Sequence, residues 1–580
     1  MVASLALSCL FCPIPQAQAK KLKEEKPCPH ITIKGENIPK FTDTEKRLIC
    51  GDPKTDDAVG DSWKSIPNSQ AKFSLDTFLQ SRGYFDAVYE MREDGFSVNV
   101  GKPTQVKALV GVGSPPDLEL FRKRRVVGEI LTPALLDKVE QWTAQRLQGI
   151  GYACPEIKSE ADPKTGIITV AMVPGEKQIA ARVIDESSGG ITPGILDRYN
   201  AFNFGKLFNG DLLVLSERRI LRDGVLQGLH FSNACEKEGV VIKRTGIEGP
   251  PRLLTVGFGT NTEGLLLVKA SWKNTRIGRR ASLIDVTALA SSKTQQVNAT
   301  MNWYNFAHTS RRYIQPSIAF IHANENPYEI SEVRTQLHEA TSYDSQDIGL
   351  TFKAGPTLEF IKTARGNGPK DSHFLSFETD TSLTSHYNEF YFKSPRTGYR
   401  VDLTTFFNSD PIYSETTAER INLDWEALWN YRNFDPPLWV LGFRGGLGTV
   451  VSGERPGPGT KLPPHFLRYL GGSENLRGFG RQELTDKGSG AMSSVSAGVE
   501  WRWVESPLPF DLQPFVFTDL GLLGLNPLDF DSPLYWSPGL GIRWESPVGA
   551  LRATLAHGYA SGQPPEVSHL QFYFSFGEEF

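Results

Sequence analysis

The chain has 580 residues, of which 39% are hydrophobic, with a mean hydropathy of −0.30 and a formal net charge of −4. It is too long for one ordinary domain, and without a long basic run it is not expected to bind nucleic acid. No run of about eighteen apolar residues follows the N-terminus, so no transmembrane helix is expected. A membrane barrel remains allowed, because its alternating strands average to near-neutral hydropathy.

Residues 1–19 have the features of a secretory signal peptide. A short apolar core leads to an Ala-x-Ala cleavage site at Ala17-Gln18-Ala19. One feature departs from the pattern, since no Lys or Arg precedes the core, and a disordered tail is the alternative. We expect the chain to be exported.

Four cysteines follow the signal peptide, and an even number in an exported protein permits disulfides. We expect Cys28 to pair with Cys50, because the loop between them is short and polar. Whether Cys154 pairs with Cys235 is left open. Zinc-site spacing such as C-x₂-C is absent among these four cysteines, and no phosphate-binding loop is visible, so neither a metal nor a cofactor is expected.

The first half of the chain repeats one pattern three times: a helix, a glycine stop, a strand, a turn and a second strand. The stops fall at Gly83, Gly151 and Gly228, a period of about 70–75 residues that indicates repeated small modules. Each repeat predicts a small sheet with two helices on one face. We place the modules at residues 29–107, 108–180 and 181–252.

From residue 253 to residue 580, helical periodicity gives way to short alternating runs. AGVEWRWV (497–504) places Val499, Trp501 and Trp503 on one face and charged residues on the other. A soluble sandwich would alternate too, but a dry core would not accept unpaired charges. At about twenty residues per strand with its connection, the segment predicts an antiparallel membrane barrel of about sixteen strands.

The C-terminal run LQFYFSFGEEF is the clearest strand of this segment. A period of two places its apolar residues on one face, and such a face on an exposed edge would aggregate in water. An aromatic terminal residue on such an alternating strand resembles the targeting signal of outer-membrane barrels. The alternative is an ordinary terminal strand. The residues of this face are Leu570, Phe572, Phe574, Phe576 and Phe580.

Four motifs carry a family resemblance: LRGFG (476–480), AGVEWR (497–502), VFTDLG (516–521) and the terminal FYFSFGEEF. With them, the chain resembles the outer-membrane protein-assembly and secretion superfamily. It looks most like the outer-membrane subunit of the translocation and assembly module. The resemblance implies a signal peptide, three polypeptide-transport-associated (POTRA) modules in the periplasm and a sixteen-stranded barrel in the outer membrane.

In that family, an inward-folded loop carries an Arg-Gly-aromatic tip that pairs with acids on the facing wall. The resemblance assigns the arginine to Arg477 and the acids to Glu500 and Asp519. The pleat independently allows both acids to point inward, and the planar guanidinium suits carboxylates. The alternative is a solvated turn with an incidental arginine. The predicted latch consists of Arg477, Gly478, Phe479, Glu500, Phe517, Asp519 and Gly521.

The first barrel strand, RLLTVGFGTN (252–261), contains two glycines, which weaken a strand. We expect its junction with the last strand to be the weakest seam of the barrel, where a client strand could pair by β-augmentation. A cysteine staple between Val256 and Phe574 would test whether the seam opens. The predicted seam residues are Val256, Gly257, Gly259, Phe572, Phe574, Phe576 and Phe580.

The implied partners are outer-membrane lipid, client outer-membrane proteins such as autotransporters, and an inner-membrane-anchored protein that spans the periplasm. An enzyme is not expected, because G-x-S-x-G and H-E-x-x-H are both absent. A passive pore would not explain the three modules. The main alternative is a two-partner secretion transporter, which usually has two modules and a plugging helix. The central insertase of the superfamily usually has five modules.

Overall fold

The computed structural model describes residues 23–51, 66–113, 123, 125–187, 190–307, 311–391, 394–433, 436–485, 489–546, 549–562 and 569–577. The predicted signal peptide lies outside them. In these ranges, no helix is long and apolar enough to cross a membrane. The chain divides into two compact units, Met1–Arg146 with Pro155–Pro174, and Leu147–Cys154 with Gly175–Phe580.

The first unit contains a four-stranded sheet in the order β1-β2-β4-β3, with two helices. Its core is formed by alternate strand residues such as Ile31 and Ile33 and by Leu75 and Leu79 of the second helix. The elements are β1 Lys23–Cys28, β2 Ile31–Gly35, α1 Asp43–Cys50, α2 Asn68–Gln80, β3 Val88–Arg92 and β4 Gly95–Asn99.

Two local features fix α1. Thr42 and Glu45 form a capping box, in which each side chain accepts a hydrogen bond from the other residue's backbone N–H. A disulfide between Cys28 and Cys50 joins the end of β1 to the end of α1. The sheet begins before residue 29, the predicted start of the first module. The polar sequence of β1 gives no strand signal, and its backbone pairing with β2 determines its conformation.

The second sheet also lies in the first unit and has the order β5-β7-β6. Its central strand alternates, burying Ile168, Val170 and Met172, as expected for a sheet with one covered face. The elements are β5 Ala108–Val112, α3 Pro133–Gly149, β6 Glu156–Asp162 and β7 Ile167–Val173.

The third sheet lies in the second unit and has the order β8-β10-β9. Arg244 is buried there, with ion pairs of 2.6 Å to Asp185 and 2.9 Å to Asp197. A disulfide joins Cys154 to Cys235 in β9. The elements are β8 Ala180–Asp185, α4 Pro193–Asp197, α5 Gly210–Arg222, β9 Gly228–Glu236 and β10 Gly239–Ile247.

One of the three predicted helix stops is wrong. Gly83 and Gly151 follow α2 and α3 with positive φ angles, but Gly228 begins β9. The residue that follows α5 in the left-handed conformation is Gly224, at φ +70°. A glycine adopts this conformation without a Cβ clash. The helix therefore ends at the glycine whose φ angle is positive, which is Gly224 and not Gly228.

The rest of the second unit is a closed antiparallel barrel. Its strands are β11 Arg252–Asn261, β12 Leu265–Ile277, β13 Ser282–Ala290, β14 Thr294–Asn302, β15 Tyr313–Asn324, β16 Glu329–Asp344, β17 Ile348–Arg365, β18 Asp371–Ser385, β19 Gly398–Asn408, β20 Glu419–Asn430, β21 Trp439–Val451, β22 Ser493–Trp503, β23 Gln513–Gly524, β24 Tyr535–Ser546, β25 Gly549–His557, β26 Tyr559–Ala560 and β27 Leu570–Gly577.

The strand β26 continues β25 beyond Gly558, and both pair with β24. In the described residues the barrel therefore has sixteen strands, which confirms the predicted α+β modules followed by a barrel of about sixteen strands. A short helix, α6 His386–Phe390, joins β18 to β19. Single 3₁₀ turns lie at Tyr431–Asn433, Pro464–Phe466 and Pro509–Asp511.

A buried charge cluster holds the third sheet's helix α5 against the barrel. Arg219 donates to both oxygens of Asp344, at 3.2 Å each, and to Glu389 of α6, at 2.5–3.1 Å. Burial alone would raise the pKa of Glu389, but hydrogen bonds and charge from Arg219 outweigh it and lower that pKa. The ionised Glu389 therefore contributes its full share to the stability of the folded state above its ordinary pKa. This share is lost as the pH falls through the lowered value.

We expect Arg219→Ala to destabilise this contact by about 2–3 kcal/mol, because it removes the buried guanidinium that donates to both Asp344 and Glu389. Arg222→Ala is the matched control, since its side chain is 65% exposed, against 6% for Arg219, and lies 3.5 Å from Glu389. Such an exposed pair contributes less than about 1 kcal/mol. Hydrogen exchange of residues 210–222 measures the difference; equal exchange in the two variants would contradict the prediction.

Candidate functional site

The connection between β21 and β22, residues 452–492, folds into the barrel. Its apolar side chains Leu462, Phe466 and Leu476 are fully or almost fully buried. The Phe466 ring packs against Phe374 of β18, with centroids 4.9 Å apart, and Leu476 packs against Leu523 of β23. The loop therefore has a packed core of its own inside the barrel wall.

Arg477 occupies the centre of this loop and is 2% exposed. Its Nε and Nη2 donate to the two oxygens of Asp519, each at 2.8 Å, while Nη1 donates to Glu500 Oε2 at 2.8 Å. The Arg477 backbone N–H also donates to Asp519, at 3.2 Å. The guanidinium lies 3.3 Å from the centre of the Phe517 ring. Lysine could not reproduce this forked geometry.

The glycines of the predicted latch make room for close packing. A Cβ on Gly478 would lie 2.5 Å from the backbone nitrogen of Gly558, and one on Gly521 would lie 2.6 Å from Leu476 Cδ1. Gly478 lies in a turn that the Phe479 N–H closes on the Leu476 carbonyl at 3.2 Å, but the turn does not require a positive φ angle there. Its lack of a side chain instead permits the loop backbone to touch the wall.

Phe479 connects the loop to the last strand. Its carbonyl oxygen accepts a 2.5 Å hydrogen bond from Tyr573 of β27, and its ring packs against Tyr535 and His569 at 5.7 and 5.0 Å. The Arg-Gly-Phe tip therefore contacts two different parts of the wall. Arg477 binds β22 and β23, while Phe479 binds the strand that closes the barrel.

Sequence reasoning missed three arginines that share the same two carboxylates. Arg552 and Arg502 donate to Glu500 at 2.5 and 3.2 Å, and Arg444 donates to Asp519 at 3.3 Å. Four guanidiniums therefore surround two carboxylates. Counting arginines on the inward faces of β21, β22 and β25 could have identified them.

The predicted seam lies between β11 and β27. Only two residue pairs are formed there among the described residues, Thr260 with Phe576 and Asn261 with Ser575. By contrast, β11 forms ten pairs with β12, and β27 forms eight with β25. The Thr262 N–H donates to the Phe574 carbonyl at 3.0 Å. In the described residues, β11 and β27 therefore pair over a short stretch at one end and not along their whole length.

In this register, some of the predicted seam residues lie at the seam and others do not. Phe574 lies beside Thr262, so the proposed pairing of Val256 with Phe574 is wrong, because β27 is displaced along β11. Val256, Gly257 and Gly259 have no β27 partner in the ranges described. Phe572 pairs with Leu555 of β25, and Phe580 lies outside the described residues.

A closed barrel with an inward-latched loop, preceded by small α/β sheets, defines the class of protein. Residues 274–580 match the model of the Omp85 superfamily domain, which is more than half of the chain. The chain belongs to the Omp85 superfamily. Its barrel lies in the outer membrane, with the small α/β modules in the periplasm.

Other comparisons are more distant. The outer membrane protein assembly factor BamA of Nitratidesulfovibrio vulgaris is 30% identical over 127 residues, 20% of this chain, and the chain spans only 16% of that relative's length. A crystal structure of Haemophilus ducreyi BamA lacking POTRA domains 1–3 has a TM-score of 0.49 at 15% identity, covering 82% of this chain and 99% of the other. For CdiB from Escherichia coli, the TM-score is 0.46 at 12% identity, covering 88% and 97%.

Proposed function

We propose that this protein assembles client outer-membrane proteins by pairing their edge strands at the seam between β11 and β27. The observation that carries the proposal is the ladder of two pairs at the seam, beside ladders of ten and eight pairs. Each ladder hydrogen bond contributes about 0.5–1.5 kcal/mol net. The seam is therefore the place where the barrel opens at the smallest cost.

The edge of β11 that faces β27 also gives a reason for client binding. Arg252–Gly259 have no β27 partner among the described residues, and a backbone polar group without a partner in lipid costs several kcal/mol. A client strand that adds to this edge supplies those hydrogen bonds by β-augmentation. The work of assembly then comes from the folding of the client, without an enzymatic step.

Within the superfamily, we place the protein with the outer-membrane subunit of the translocation and assembly module. The three small sheets that the described residues form before the barrel support this placement, since three modules are what the resemblance implies for that subunit. The periplasmic modules would then bind an inner-membrane-anchored partner. Autotransporters and other barrels are the proposed clients.

This proposal is tested in cells with a photo-crosslinking residue at Val256. Val256 is 50% exposed on β11 and has no β27 partner among the described residues. Phe377 of β18, 52% exposed on another part of the barrel, is the matched control position. Capture of an unfinished outer-membrane barrel at Val256 but not at Phe377 is the expected result. Capture of a long secreted polypeptide, both there and beside Arg477, would instead indicate two-partner secretion.

A further inference from the structure

The loop that carries Arg477 touches both sides of the seam. On one side, Tyr573 of β27 donates to the Phe479 carbonyl, and Arg477 binds β22 and β23. On the other side, the turn after β11 reaches the same loop through Glu263. Its carboxylate accepts from the Ser473 N–H at 3.1 Å and from the Ser473 hydroxyl at 2.6 Å.

Glu263 is held firmly in position by its own turn. The Asn261 side chain accepts hydrogen bonds from the backbone N–H groups of Glu263 and Gly264, at 3.1 and 2.5 Å, which is the local bonding that favours Asn in turns. The Glu263 side chain is 10% exposed, and Arg481 of the loop lies 3.7 Å from it. Gly472 has a φ angle of +111°, which residues with a side chain rarely adopt, and its Cα side faces the Glu263 carboxylate.

The loop segment between these two contacts is braced by its own hydrogen bonds. The Gly472 N–H donates to the Phe479 carbonyl at 2.9 Å, and the Gln482 N–H donates to the Gly471 carbonyl at 3.1 Å. Phe479 O therefore receives both this internal bond and the one from Tyr573. A displacement of one end of the segment is transmitted to the other.

We infer that Glu263 is a positioning residue that holds the first hairpin closed from inside the barrel. Two ladder pairs join β11 to β27 among the described residues, whereas the Glu263 carboxylate accepts two further hydrogen bonds. Hydrogen bonds to a charged acceptor are about twice as strong as neutral ones. The loop thus bridges the seam, and the hairpin of β11 and β12 swings free only when Glu263 releases Ser473. The consequence for clients rests on the proposed function, but the closure itself does not.

The test measures seam opening without any client. Spin labels are placed at Leu266 of β12 and Leu570 of β27, both exposed, in the full-length protein in lipid. The cysteines of the described residues are all in disulfides, so the introduced thiols are the labelled ones there. Glu339→Ala is the matched control, since Glu339 is an exposed acid of β16 paired with Arg312.

Glu263→Ala is expected to increase the fraction of long label distances about tenfold, the effect of losing charge-assisted hydrogen bonds. Ser473→Ala is expected to increase it too, and the double variant no more than the larger single change, because the two residues share one interaction. Ser473→Ala also carries the test if Glu263→Ala does not fold. Distances unchanged from the parent in the folded variants would overturn the inference. Long distances in a folded variant support the inference whether or not client insertion changes, so the inference and the proposed function can fail separately.

Discussion

Arg477→Glu is expected to release the loop from the barrel wall and to lower client assembly by at least about tenfold, since loss of a buried ion-pair partner costs about 3–5 kcal/mol. The substitution removes three hydrogen bonds to Asp519 and Glu500. It also places a third carboxylate beside two buried ones, and like charges at this distance oppose ionisation. Assembly is measured in cells, and release of the loop by trypsin cleavage within residues 452–492.

Two variants control this experiment. Arg455→Glu makes the same charge change at an exposed position of the same loop and is expected to leave assembly unchanged. Arg477→Lys keeps the charge but not the fork, so its activity is expected between those of the parent and Arg477→Glu. If Arg477→Glu assembles clients as well as Arg455→Glu does, the latch is not needed for function.

A disulfide between Thr260→Cys and Phe576→Cys is expected to abolish client insertion almost completely. These residues are direct partners at the seam, so the cross-link closes the edge that a client must reach. Insertion is measured in liposomes before and after oxidation, with the fraction of cross-linked protein read from the gel. The effect should scale with that fraction and disappear on reduction.

The matched control places the same kind of cross-link elsewhere in the wall. Thr379 and Thr405 are direct partners between β18 and β19, with hydroxyl oxygens 2.7 Å apart. Their conversion to cysteines should leave insertion unchanged. Undiminished insertion by fully cross-linked Thr260→Cys/Phe576→Cys protein would rule out opening of this seam, and assembly would then need another route.

The sequence was most informative where structure depends on local periodicity. A strand's period of two allowed Glu500 and Asp519 to be placed on inward faces, because neighbouring residues alone determine the pleat. The seam register was not predictable, since it depends on the displacement accumulated around sixteen strands. Arg552 was missed for a related reason: its contact with Glu500 joins strands that are not adjacent in the barrel.

Backbone conformation accounts for the other differences. The strand β1 has a polar sequence and forms because β2 offers it a ladder. The choice between Gly224 and Gly228 depended on a φ angle that composition does not specify. In both places the side chains allow more than one structure, and hydrogen bonding of the main chain selects one.

The disulfides set an order for biogenesis. Cys28 and Cys50 are 22 residues apart and Cys154 and Cys235 are 81 apart, and all four precede β11. A chain exported from its N-terminus therefore delivers both pairs to the oxidising periplasm before any barrel strand emerges. Both disulfides of the modules can therefore form before the barrel folds. Maturation of the protein should then require thiol oxidation at an earlier stage than it requires insertion into the membrane.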